Sequence, residues 1–239
     1  PEGKAPPLER LRVAVSGGAA LPVDIHRRFE ERFGVGIREG YGLTECSPIT
    51  TMTPITGVIK PGSIGPALEG VEVRLVDDRG NDVPVGEVGE LVVRGPNVMK
   101  GYWENEKATR EAFFGEWFRT GDLARVDEDG YYYIVDRKKD LIIVNGLNVY
   151  PRHVEEVIYQ HPAVAEVAVV PEKDDLHGEV PRAVIALKEG ASATEREIIA
   201  FCRKRLGRFQ VPRVVEFMPA LPKNATGKIL KRAIPPRVR

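Results

Sequence analysis

Leu11-Arg12-Val13-Ala14-Val15-Ser16-Gly17-Gly18 decides the fold class, together with the helix and strand that come after it. The apolar run at 11–15 ends in a Ser-Gly-Gly turn, which predicts a short buried strand. Pro22 and Asp24 then open an amphipathic helix through Ile25, Phe29 and Phe33, and Gly34 stops it. A second short strand over 35–38 runs into Gly40-Tyr41-Gly42-Leu43-Thr44-Glu45. Strand, turn, helix, strand is the alternation of a parallel αβ sheet. Two strands are too few for a domain, so residues 1–55 read as the end of a larger αβ subdomain.

Further along, the texture changes twice. Short alternating stretches at 71–76, 89–94 and 130–135, separated by Gly, Pro, Asn and Asp, predict an antiparallel β subdomain over 56–135, a small barrel, with a helical insert over 105–113. Asp136-Arg137-Lys138-Lys139-Asp140 is five consecutive charges without an apolar anchor and reads as a linker. Residues 141–239 then predict a compact α+β domain: strands at 141–144, 164–170, 182–187 and 214–218, a turn at Asn145-Gly146, and helices at 151–160 and 194–206.

Composition bounds the function. Of 239 residues, 42% are apolar and 29% charged, which excludes a disordered chain. No apolar run reaches the roughly 18 residues of a membrane span, and Pro1-Glu2-Gly3-Lys4 carries no signal-peptide pattern. Cys46 and Cys202 lie far apart without Cys or His companions at ligand spacing, so neither a disulfide scaffold nor a zinc site is expected, and the expected compartment is the reducing cytoplasm. Lys plus Arg equals Asp plus Glu at 35 each, yet residues 196–239 hold twelve basic side chains against Glu197 and Glu216, a local +10. That excess reads as a solvated basic face or as a site for an anionic ligand. Phe201, Phe209 and Phe217 are its aromatics and make no stacking platform, so nucleic acid is not the expected partner.

Three segments carry candidate chemistry. Tyr41-Gly42-Leu43-Thr44-Glu45 offers a ring face, close backbone approach at glycine, a hydroxyl for a phosphate oxygen and a hard oxygen for Mg²⁺. Trp117-Phe118-Arg119-Thr120-Gly121-Asp122-Leu123 places a carboxylate after a glycine turn, as a ribose would need. Pro222-Lys223-Asn224-Ala225-Thr226-Gly227-Lys228 is a loop that delivers a lysine. It is not a P-loop, because Pro222 stands where that motif needs Gly and Ile229 where it needs Ser or Thr. Each segment taken singly also reads as an ordinary turn or a solvent-exposed lysine.

In their order and spacing, however, these segments resemble the C-terminal half of adenylate-forming enzymes: acyl-CoA synthetases, peptide-synthetase adenylation domains and luciferases. The resemblance covers essentially the whole chain. It rests on Ser16-Gly17-Gly18-Ala19, the run at 41–45, Gly89-Glu90-Leu91 with Gly101-Tyr102, and Thr120-Gly121-Asp122-Leu123. Beyond these it rests on Asp136-Arg137-Lys138-Lys139-Asp140, Asn145-Gly146 and the lysine loop. Such enzymes join a carboxylic acid to AMP from ATP and then pass the acyl group to a thiol.

The resemblance implies roles for individual residues. Gly18 and Ala19 would line the adenine site and Tyr41 would stack on the base, with Gly40 and Gly42 admitting the nucleotide to the backbone. Thr44 would meet the α-phosphate and Glu45 would hold Mg²⁺. Asp122 would accept from the ribose hydroxyls, Arg137 would donate to them, and Ile134 would pack beside the sugar. Lys139 would be the hinge, within 136–140, about which a mobile domain at 141–239 rotates. Lys228 would be catalytic in the first half-reaction, and Gly146 would admit coenzyme A in the second. Asn145-Gly146-Leu147-Asn148-Val149-Tyr150-Pro151 is most similar to fatty acyl-CoA ligases; an aryl-CoA ligase, a peptide-synthetase adenylation domain and a non-catalytic AMP-binding module are the alternatives.

The family's Ser/Thr/Gly-rich pyrophosphate loop has no counterpart before Ser16, which predicts that this polypeptide alone does not adenylate at useful rates. An apolar sheet edge near 11–15 is likewise expected to be exposed. A homo-oligomer, and a peripheral membrane contact through the acyl substrate, both stay open.

Overall fold

A computed structural model of the chain describes residues 10–19, 21–225 and 227–237. The chain divides into two compact units between Val135 and Asp136.

The first unit opens with β1 (Ala14–Ser16), α1 (Val23–Phe33) and β2 (Ile37–Gly42). β1 and β2 pair in parallel with Ser16 opposite Glu39, so α1 is the crossover of a βαβ unit. Gly34 ends α1 in the left-handed conformation, its N–H bonded to the Glu30 carbonyl. β2 lies later than the sequence suggests and contains Gly40, Tyr41 and Gly42. It does so because β3 (Ile49–Met52) pairs antiparallel with it, Tyr41 facing Thr51. Of the apolar edge expected at 11–15, Val15 on β1 is 58% exposed, whereas Leu11, Val13 and Ala14 are half-buried.

The rest of this unit is a five-stranded sheet built from β4 (Glu72–Val76), β5 (Gly89–Arg94), β6 (Phe113–Phe114), β7 (Trp117–Val126) and β8 (Tyr132–Arg137), with helix α2 (Glu106–Glu111) before β6. Its order is β4-β5-β7-β6, and β8 joins β7 off that path. The sheet therefore branches instead of closing, and the barrel expected from the sequence is an open half-barrel. Leu91, Val93, Phe118 and Ala124 form its core with Cys46.

β7 departs most from the sequence reading, which made Trp117–Leu123 a glycine turn. It is a ten-residue strand in the middle of the sheet. Glu90 pairs with Leu123 and Val92 with Arg119, so Leu91 alone faces Thr120, Gly121 and Asp122. Gly121, at φ 71°, takes up that bulge. The glycine signal was real, but it marks a bulge inside a strand.

The second unit contains β9 (Ile142–Val144), β10 (Leu147–Val149), α3 (Pro151–Tyr159), β11 (Val164–Asp174), β12 (Gly178–Leu187), α4 (Glu195–Arg203) and β13 (Val214–Phe217). Asn145 and Gly146 both have positive φ, 50° and 78°, the backbone of a tight hairpin turn. Side chains alternate along β11. Val167 and Val169 meet Val154, Ile158 and Ile198 of the helices, whereas Ala168 and Val170 meet Leu221 and Ile234 from the C-terminal segment. α4 opens on a reciprocal cap between Thr194 and Glu197. The charged segment before β9 is not uniformly solvated: Asp136 is 5% exposed and accepts from the Arg137 and Arg152 amides.

Cys46 and Cys202 are both fully buried, and burial pushes each thiol up to about 11. Neither is a ready thiolate at neutral pH. Iodoacetamide is expected to label neither cysteine in the native chain and both after denaturation, as read by intact mass. Rapid native labelling of either one would contradict this packing.

Candidate active site

The turn after β2 is built by backbone contacts that leave no room for a side chain. A Cβ on Gly42 would lie 1.8 Å from the Pro48 carbonyl oxygen, so position 42 is glycine by necessity. The Leu43 amide donates to that same carbonyl, 2.7 Å, and the Cys46 amide returns to the Leu43 carbonyl, 2.9 Å. Asn97 clamps the far side, its amide nitrogen donating to the carbonyls of Cys46 at 3.0 Å and Ile49 at 3.1 Å. Cys46 is the apolar peg that sinks the turn into the half-barrel core.

This turn presents Thr44 and Glu45. Thr44 is exposed and starts a single 3-10 turn, Thr44–Cys46. Glu45 is held twice, its carbonyl accepting from the Met99 amide at 2.7 Å and its Oε1 from the Tyr102 hydroxyl at 3.0 Å. Burial and the Glu45 carboxylate both raise the Tyr102 phenol, which keeps it a donor. Among the described residues no group of three His, Cys, Asp or Glu side chains gathers into a metal cage. One oriented, half-exposed carboxylate is nevertheless what Mg²⁺ uses when phosphates and water complete its shell, so Glu45 fits an ion that arrives with a nucleotide.

Tyr41 and Asp122, 81 positions apart in sequence, meet directly: the Tyr41 hydroxyl donates to Asp122 Oδ2 at 2.5 Å. The β7 bulge makes the meeting possible. Thr120 Oγ1 donates to the Leu91 carbonyl, 2.8 Å, filling the unpaired position, and accepts from the Asp122 amide, 3.1 Å. Glu90 secures the same place, receiving Arg119 through both oxygens at 3.1 and 2.6 Å while only 4% exposed. Asp122 is 8% exposed. Burial first, and then the adjacent Asp122 charge, drive the Tyr41 phenol far above its ordinary value, so it remains protonated and donating throughout the neutral range.

The other sequence-predicted residues fall in two groups. Gly18, at φ 81°, and Ala19 form the exposed turn after β1, where Gly17 lies so close to Gly40 that a Cβ there would sit 3.1 Å from the Gly40 oxygen. Ile134 on β8 packs against the half-barrel core with Tyr41 and Leu43. These residues share the first unit with Tyr41, Thr44, Glu45 and Asp122. Arg137, Lys139, Gly146 and Lys228 belong to the second. Arg137 is exposed at the end of β8, and Lys139 is exposed in the 3-10 turn Lys138–Asp140. Gly146 is exposed with open space where a Cβ would be, so its left-handed backbone gives glycine a local reason independent of any ligand.

The lysine loop is more ordered than its sequence suggests. Lys223 and Ile229 pair across it, and the Asn224 amide donates to the Lys228 carbonyl at 3.0 Å. Asn224 Oδ1 accepts from the Lys228 amide at 2.9 Å. Thr226, part of the motif, lies outside the described residues; Lys228 itself is exposed. Sequence reasoning missed Asn97 and Thr120 as positioning groups. Thr120 read as part of a glycine turn and Asn97 carried no reading, and only long-range contacts reveal their work.

The chain is similar to known proteins in sequence and in fold. The chain is 43% identical over 228 residues to a long-chain-fatty-acid–CoA ligase of Bacillus subtilis, covering 95% of this chain and 41% of that protein. A long-chain-fatty-acid–CoA ligase of Yersinia pestis is 46% identical over 224 residues, 94% of this chain and 40% of that protein. The chain thus spans about two-fifths of the length of the curated relatives it matches. Among solved structures, ATP-bound MatB from Rhodopseudomonas palustris superposes with a TM-score of 0.90 at 38% identity, over 93% of this chain and 44% of that one. The model of the AMP-binding enzyme matches residues 2–103 and that of its C-terminal domain residues 153–228, so the chain belongs to the AMP-binding, adenylate-forming enzyme family.

Proposed function

We propose that this chain carries the nucleotide-sugar site and the catalytic lysine of an ATP-dependent acid–thiol ligase acting on a fatty acid. The single observation that carries the reading is the Tyr41–Asp122 contact beside the Gly40–Glu45 turn. It holds a buried carboxylate at a fixed place, where a pair of ribose hydroxyls can donate to it.

In the first half-reaction an acid oxygen attacks the α-phosphorus of ATP. A carbon–oxygen–phosphorus link forms, and the bond to the pyrophosphate oxygen breaks. Two anions must approach, so catalysis needs cations where charge accumulates. Thr44 donates to the α-phosphate, Glu45 holds the Mg²⁺ that comes with the nucleotide, and Tyr41 offers its ring to the base beside Gly18 and Ala19. Asp122 and Arg137 take the ribose, with Ile134 against it. Lys228, a compact charge on a mobile stem, meets the oxygens of both reacting acids. In the second half-reaction the coenzyme A thiol displaces AMP from the acyl carbon. We place the pivot between the two steps at Lys139 and the path of the pantetheine arm over Gly146. The fatty-acid assignment leans on the long-chain ligases among the relatives.

Calorimetric titration of AMP into the chain tests the site. A hydrogen bond to a charged group is worth roughly 1.5–3 kcal/mol, so Asp122→Ala is expected to weaken AMP about tenfold to a hundredfold. Lys228→Ala is expected to leave AMP affinity unchanged. Equal AMP affinity for Asp122→Ala and the unaltered chain would reject the sugar site.

A further inference from the structure

The C-terminal segment that bears Lys228 is fastened to the second unit at both of its stems. On the incoming side Leu221 is buried against Ala168, Val170 and Val184, and the Lys223 ammonium pairs with Glu166 of β11. On the outgoing side Ile234 enters the same apolar cluster, and Lys231 Nζ lies 2.7 Å from Glu155 Oε1 on α3. Farther on, Arg182, only 3% exposed, donates to the Pro235 carbonyl at 2.9 Å. Between the stems the Leu230 amide donates to the Pro222 carbonyl, 2.8 Å, closing the neck of the loop.

Glu155 and Glu166 are placed for this task. β11 is the edge strand of its sheet, and Glu155 Oε1 accepts the Val169 amide at 2.7 Å while also holding Lys231. Glu166 belongs to β11 itself and points to the face where Leu221 and Ile234 dock. The two carboxylates therefore grip the lysine segment on either side of one strand. They take the amines five residues before and three residues after Lys228.

We propose that Glu155 and Glu166 are positioning residues that clamp the two stems of this loop and so fix where Lys228 is presented. The inference deepens the function proposed above and rests on it for its catalytic consequence, though not for its geometry. Clamped stems hold the backbone that carries Lys228 in one place, which lowers the ordering cost of reaching the reacting oxygens.

The test uses amide hydrogen exchange on the chain itself, comparing Glu155→Gln and Glu166→Gln with the unaltered protein. The amides of Asn224, Gly227, Lys228 and Leu230 are expected to exchange about tenfold faster in each variant, while Val184 and Ile185 in the core keep their rates. Lys223→Met and Lys231→Met approach the same pairs from the other partner and are expected to reproduce the pattern if a glutamine variant folds poorly. Unchanged loop exchange in all four variants overturns the proposal. So does loss of protection in loop and core together, which would make the carboxylates merely structural.

A second arm uses a chimera carrying this chain in place of the matching segment of a long-chain ligase relative. Adenylation is expected to fall in the glutamine variants while thioester formation from supplied acyl-adenylate holds; equal losses in both steps overturn a positioning role. Were Lys228→Ala to leave adenylation intact, the proposed function would fall, while the exchange arm would still decide the clamp.

Discussion

Gly42→Ala unfolds the turn that carries Thr44 and Glu45. The added methyl would stand 1.8 Å from the Pro48 oxygen and 2.6 Å from the Pro48 carbonyl carbon, both backbone atoms. No side-chain rotation relieves such a clash. The Leu43–Pro48 hydrogen bond has to break, and Cys46 has to leave the half-barrel core. The expected loss exceeds about 4 kcal/mol, a size that single substitutions reach only through mechanisms of this kind. Both tryptophans, Trp103 and Trp117, lie in the first unit, so urea unfolding followed by their fluorescence reports on it selectively. A loss of less than about 1 kcal/mol, the ordinary cost of a point substitution, would contradict the packing described. Gly18→Ala makes a useful contrast: nothing lies within 4 Å of its Cβ position, and its cost is the left-handed backbone alone.

Lys228→Ala carries the other large effect, on chemistry instead of stability. In the chimera, acyl-adenylate formation is expected to fall by about a hundredfold to a thousandfold, the usual loss when one group stabilising transition-state charge is removed. Thioester formation from supplied acyl-adenylate is expected to stay at its original rate, because AMP is by then the leaving group. The thermal midpoint is also expected to hold, since Lys228 is exposed and lies outside the apolar cluster that seats the two stems. Pyrophosphate release and hydroxamate trapping separate the two steps. An adenylation rate close to that of the unaltered chimera would remove Lys228 from the reaction.

How legible was this in the sequence? The local signals read true: Pro22 to Gly34 bracketed α1, Pro151 opened α3, and Asn145-Gly146 made its hairpin. Each depends on backbone preferences that neighbours in sequence decide. What failed was long-range. Gly121 looks like a turn glycine from Trp117–Leu123 alone, and only the pairing of β7 with β5 makes it a bulge. The Tyr41–Asp122 bond joins β2 to that bulge across 81 positions, which no local pattern announces. The family resemblance named both residues but not the contact between them. Glu155 and Glu166 were invisible for a related reason: on an amphipathic helix and an edge strand, glutamates read as solvated surface.

The proposed chemistry depends on a nucleotide site at Tyr41 and Asp122. The most direct test is a titration of AMP into the isotopically labelled chain, followed through its backbone amide resonances. Saturable shifts are predicted at Gly40, Tyr41, Gly42, Gly121 and Asp122, sharing one dissociation constant and vanishing in Asp122→Ala. Saturable shifts confined to the basic stretch at 196–237, with residues 40–42 and 121–122 unmoved, would contradict it.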